Sequence, residues 1–77
     1  MNLDKLKGKL VEKKKTYRDC AKYLDISVAT FNLKMNGKSK WYVEEINELS
    51  EYLGLTLAEK VEIFLNQNLH DIQDKGA

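Results

Sequence analysis

The chain has 77 residues, 43% of them apolar, a formal charge of +1, no proline and a single cysteine. That length is one domain with a modest core, and one cysteine excludes an internal disulfide. No apolar run approaches the ~20 residues of a membrane span and there is no basic-plus-apolar leader, so neither a membrane nor an export route is expected.

Leu3, Leu6, Leu10 and Val11 recur at i, i+3, i+7 and i+8, which predicts an amphipathic helix over 3–13. Gly8 inside it costs roughly 1 kcal/mol relative to alanine, so a close approach of another helix to its backbone is expected. The run Lys13-Lys14-Lys15 ends this helix, placing cations at its negative end. Those lysines serve either as solvated charges or as phosphate contacts.

Thr16 is suited to cap a second helix from Tyr17 to Leu24, with Cys20, Ala21 and Leu24 on its apolar face. The cysteine in that phase reads as a buried thiol in a reducing cytoplasm. Asp25-Ile26-Ser27 interrupts the pattern, and Ser27 is suited to cap a third helix whose apolar positions are Val28, Phe31 and Met35. Gly37 supplies the left-handed residue that ends it.

Tyr42, Ile46, Leu49 and Leu53 share a face and predict a fourth helix over 43–53, with Glu44 and Glu45 in its first turn and Gly54 as its stop. Thr56 and Glu59 form a T-x-x-E capping box for a fifth helix through Leu57, Val61, Phe64 and Leu65. In the polar remainder, Leu69 and Ile72 continue that helical phase, so the segment either extends the helix or leaves it to pair with another subunit. The class expected is all-α, with one domain over 1–66 and a polar tail over 67–77.

The small net charge conceals a segregation. Residues 1–42 hold eleven Lys or Arg against four acids, a surplus of +7, whereas residues 43–77 hold two lysines against eight acids, a surplus of −6. A basic half and an acidic half suit a polyanion-binding face with a solvated back.

The stretch 17–36 resembles the helix-turn-helix of phage repressors and Cro proteins, the lambda-repressor-like group. Ala21 matches the small residue where two steeply crossing helices meet, Ile26 the buried turn residue, and Phe31 with Met35 the core of the recognition helix. Asn36-Gly37-Lys38-Ser39-Lys40 is similar to the loop that follows it. Asp25 stands where the family usually has glycine, and aspartate is among the few residues that tolerate positive φ. With Leu6-Lys7-Gly8-Lys9 and Glu44-Glu45-Ile46 added, the chain looks like the short Cro-like regulators of phages and prophages of low-GC Gram-positive bacteria.

That resemblance implies a five-helix DNA-binding domain that regulates transcription as a homodimer on a double-stranded operator, with the recognition helix of about 28–36 in the major groove. It places base contacts at Val28, Ala29, Asn32 and Leu33, and Thr30 lies close enough to add a polar contact. Three of the family positions are apolar and suit thymine methyl groups rather than bidentate hydrogen bonds. Leu33 lies opposite the core phase, so it is a base contact, a partner contact or simply exposed. Phosphate contacts fall to Thr16 and Tyr17 at a helix start, and to Arg18, Asn36, Lys38 and Lys40 around the two ends of the motif.

Trp41 is out of phase with the fourth helix and either caps the core, packs at an interface or lies on the sugar-phosphate backbone. The sole histidine, His70, is far from the cysteine and reads as a solvated residue, and no metal-ligand or phosphate-loop spacing occurs. No enzyme, metal, cofactor or small-molecule substrate is therefore expected. The competing reading is a protein-interaction module whose apolar patch at Val28, Ala29 and Leu33 binds a repressor or antirepressor.

Overall fold

The computed structural model of the chain describes residues 1–65 and the backbone of 72–73. Five helices follow one another: α1 (Leu3–Glu12), α2 (Tyr17–Leu24), α3 (Val28–Met35), α4 (Val43–Leu53) and α5 (Leu57–Lys60). The last runs on as a π-helical turn over Val61–Leu65. Two short strands, β1 (Trp41–Tyr42) and β2 (Ile72–Gln73), pair in parallel, and short turns and loops join the helices. Among the described residues no helix is long and apolar enough to cross a membrane.

Local side chains set the helix starts. The side-chain oxygens of Asn2, Thr16, Ser27 and Thr56 each accept from the backbone N–H three residues ahead. At Thr16 the partner Asp19 returns the bond to the Thr16 N–H, and at Thr56 Glu59 does the same, so two reciprocal boxes satisfy donors that a helix start leaves orphaned. Left-handed residues set several of the ends: Asp25 at φ 58°, Gly54 at φ 64° and Gly37 at φ 74°, just past the cap of α3. Asp25 thus occupies the left-handed conformation that aspartate tolerates better than most residues. Lys14, also at φ 58°, follows α1 in the same conformation with no local residue signal for it.

The core joins Leu6 and Leu10 of α1, Cys20, Ala21 and Leu24 of α2, Phe31 and Met35 of α3, Trp41, three residues of α4, and Ile63 with Phe64. A column of edge-on rings runs through it. Tyr17 meets Phe31 at 5.3 Å, Phe31 meets Trp41 at 6.0 Å and Trp41 meets Phe64 at 5.6 Å between centroids. Such pairs add to the burial of each ring, so α2, α3, β1 and the π-helical turn share one aromatic spine. Of the readings open for Trp41, core capping is the one observed, because it is 2% exposed. Burial also pushes the Cys20 thiol up to about 11, as suits a packing residue rather than a nucleophile.

Several expectations are corrected. Among the described residues, a Cβ on Gly8 would meet nothing within 4 Å, so the close approach expected there is not found. Val28 is 42% exposed, and the third buried position of α3 belongs to Lys34. Of the apolar positions expected in the fifth helix, Phe64 is buried, beside Ile63, while Leu57, Val61 and Leu65 are exposed. The π-helical turn explains this, since i→i+5 bonding widens the turn and slows the rotation of side chains about the axis. Ile72 does not extend the helix: its backbone pairs with Trp41 of the same chain. Leu69 and His70 lie outside the described residues.

Candidate functional site

The expected site residues divide by what their side chains already do. Val28, Ala29, Asn32 and Leu33 lie on the outer face of α3 and are all exposed, with Leu33 at 45%. The phase is set by Phe31, Lys34 and Met35, which α3 buries. Thr30 is half-buried, and its hydroxyl accepts from Ser27 Oγ at 2.8 Å as part of the cap. The side-chain amide of Asn36 folds back to donate to the Asn32 carbonyl at 3.0 Å. The outer face therefore offers two aliphatic side chains, a methyl group and the Asn32 amide, whose Oδ1 accepts from Asn36 Nδ2 at 3.3 Å.

At the start of α2 the Thr16 hydroxyl and N–H are both engaged with Asp19. Those bonds hold the Asp19 carboxyl below the usual carboxylate range, and a carboxylate thus already stands at this helix start. Tyr17 is half-buried with its ring against Phe31, whereas Arg18 is exposed. Beyond α3, Lys38 and Lys40 are exposed on the segment that leads to β1. Lys15, the last of the lysine run, sits 4.8 Å over the Tyr52 ring, and Tyr52 in turn stacks on Tyr23 at 4.2 Å.

Sequence reasoning missed the arrangement beneath this segment. Lys34, one of the eleven cations of the basic half, is 3% exposed. Its ammonium pairs with Glu45 at 2.9 Å and donates to the Lys40 carbonyl at 2.5 Å. It also lies 5.1 Å over the Tyr42 ring and 5.9 Å over Trp41. Glu45, 6% exposed, accepts from the Tyr42 N–H at 2.9 Å. The only hint in the sequence was the placement of Lys34 beside Met35 in the inward arc of α3.

Two more lysines of the basic half are engaged with glutamates of the acidic half: Lys5 with Glu62 at 3.0 Å, and Lys9 with Glu59. Part of the +7 surplus is therefore spent inside the fold. Arg18, Lys22, Lys38 and Lys40 are exposed on or beside α2 and α3. Among the described residues, no three His, Cys, Asp or Glu side chains are grouped so as to hold a metal ion.

No curated protein and no solved structure matches the chain. The family model DUF739, described as a protein of unknown function, matches residues 1–67, which takes in every described helix and the whole exposed face of α3. The chain belongs to the DUF739 family.

Proposed function

We propose that the protein is a sequence-specific double-stranded DNA-binding regulator of the Cro or repressor type, its α2–turn–α3 unit acting as a lambda-repressor-like helix-turn-helix. The carrying observation is the outer face of α3. Val28, Ala29, Asn32 and Leu33 are exposed together on a helix whose other side is locked into the core, and exposed cations stand on the elements before and after it. A helix so presented fits the major groove, where its two aliphatic residues and Ala29 pack on thymine methyl groups and Asn32 supplies the polar contact. Arg18, Lys38 and Lys40 engage phosphates on either side, which fixes register. Thr16, Thr30 and Asn36 act chiefly through the caps and bonds that shape these helices. Binding as a homodimer to two half-sites supplies the selectivity one such unit lacks.

A salt-series titration with a duplex from the region beside the protein's own gene tests this. Affinity should fall steeply with salt, Lys38→Ala should reduce the log–log slope by about 0.9, and Leu33→Ala should erase sequence preference. Salt-insensitive binding indifferent to sequence refutes it. The exposed aliphatic pair Val28 and Leu33 also favours a second reading, in which the same face docks on a repressor or antirepressor protein.

A further inference from the structure

We infer that Lys34, held by Glu45, is a positioning residue that fixes the segment Gly37–Lys40 so that Lys38 and Lys40 meet phosphates; this rests on the DNA reading above. Lys34 cannot itself touch DNA, because its ammonium is enclosed beneath the Tyr42 ring and against Glu45. What it reaches is the backbone of the segment, at the Lys40 carbonyl. The other end of the segment is tied to the same residue, since the Gly37 N–H donates to the Lys34 carbonyl at 3.2 Å, as does the Trp41 indole. Beneath it, Leu3 Cδ1 lies 3.6 Å from where a Cβ on Gly37 would stand, so α1 supports the turn from below. The Lys34 ammonium thus holds the Lys40 end of these four residues, while main-chain bonds from Gly37 to Lys34 and from Lys38 to the Leu33 carbonyl, at 2.9 Å, hold the other.

A lone surface segment of this composition would sample many orientations, and each phosphate contact would bear the cost of ordering it. Anchoring both ends removes that cost before DNA arrives. The buried pair does a second thing: Glu45 also caps α4 at Tyr42, so the segment is referenced to α3 and α4 at once. Replacing Lys34 alone would strand a buried carboxylate, with a penalty for the fold as a whole. The informative variant is therefore Lys34→Met/Glu45→Gln, which leaves no unpaired buried charge and keeps an oxygen for the Tyr42 N–H.

Two measurements on the full chain test the inference: amide hydrogen exchange by NMR, and a salt-series titration with a duplex of arbitrary sequence at low salt. In the pair variant, amides 37–40 should exchange roughly tenfold faster while the α2 and α4 core amides stay protected. The log–log slope should fall by about 1–2 units, towards that of Lys38→Ala/Lys40→Ala. A general loss of stability lowers affinity by one factor at every salt concentration and leaves the slope alone. Unchanged exchange at 37–40 overturns the positioning role whatever the duplex does. Faster exchange with an unchanged slope overturns it as well. Faster exchange in a protein whose wild type binds no duplex overturns the DNA reading, and with it the phosphate role of the segment.

Discussion

Trp41 donates its indole N–H to the main-chain oxygen of Lys34 at 3.2 Å, so a residue of β1 closes the last turn of α3 from outside the helix. The same oxygen accepts from Gly37, and losing the indole does not leave it bare. Trp41→Phe should therefore cost only about 1–2 kcal/mol, the hydrogen bond plus a small void. Trp41→Ala also removes the ring between Phe31 and Phe64 and should cost about 3–5 kcal/mol. Urea unfolding followed by circular dichroism gives both values. Equal losses for the two variants would show that the ring column carries little.

Glu59 links stability to acid. The Lys9 ammonium beside it, and then the Thr56 N–H, hold its carboxyl down at about 2, against an ordinary 4.5. A group depressed on folding contributes fully above its unfolded value and loses that contribution as pH falls through the folded one. Stability should thus decline between about pH 4.5 and 2. Glu59→Gln should flatten that decline relative to wild type, as read from chemical unfolding at several pH values. An unchanged acid limb would assign the decline to other carboxylates. On the alkaline side, Glu59 and then Glu12 raise Lys9, whose contribution is complete below 10.5 and is lost as pH rises through the folded value.

Asp25 sits at φ 58° and ψ 46° between α2 and α3. A side chain there is strained by roughly 1–2 kcal/mol, less for aspartate than for most. Asp25→Gly relieves the strain but adds freedom to the unfolded chain, for a net gain of about 0.5 kcal/mol. Asp25→Val should lose about 1–2 kcal/mol, since a β-branched residue resists this conformation most. The thermal midpoints of the two variants should bracket wild type; a stabilised valine variant would contradict the left-handed geometry.

The features legible in the sequence are those decided within one turn of chain. Thr16, Ser27 and Thr56 announce helix starts because each cap bond spans three residues, and Gly54 announces an end for an equally local reason. Ala29 and Leu33 on the exposed face of α3 are legible too, as the arc opposite Phe31 and Met35, whereas Val28 falls in the core phase and is exposed all the same. Lys34 is not legible, because its burial depends on Glu45, eleven positions further on, and on rings from β1. The fifth helix misled for a different reason. A constant 100° step puts Leu57, Val61, Phe64 and Leu65 on the inward side, and the change to π-helical bonding keeps only Phe64 of these inward and brings Ile63 in beside it. The pairing of Ile72 with Trp41 joins residues far apart in the chain, and no local pattern encodes it.

The three ion pairs Lys5–Glu62, Lys9–Glu59 and Lys34–Glu45 all run from the first 42 residues to the remainder. In the unfolded chain the same segregation makes two blocks of opposite sign on one polymer. Such a polyampholyte contracts in dilute salt and swells as ions screen it within the Debye length, about 10 Å at 0.1 M. Refolding then begins from a coil whose ends are already drawn together, and the distance the halves must search grows with ionic strength.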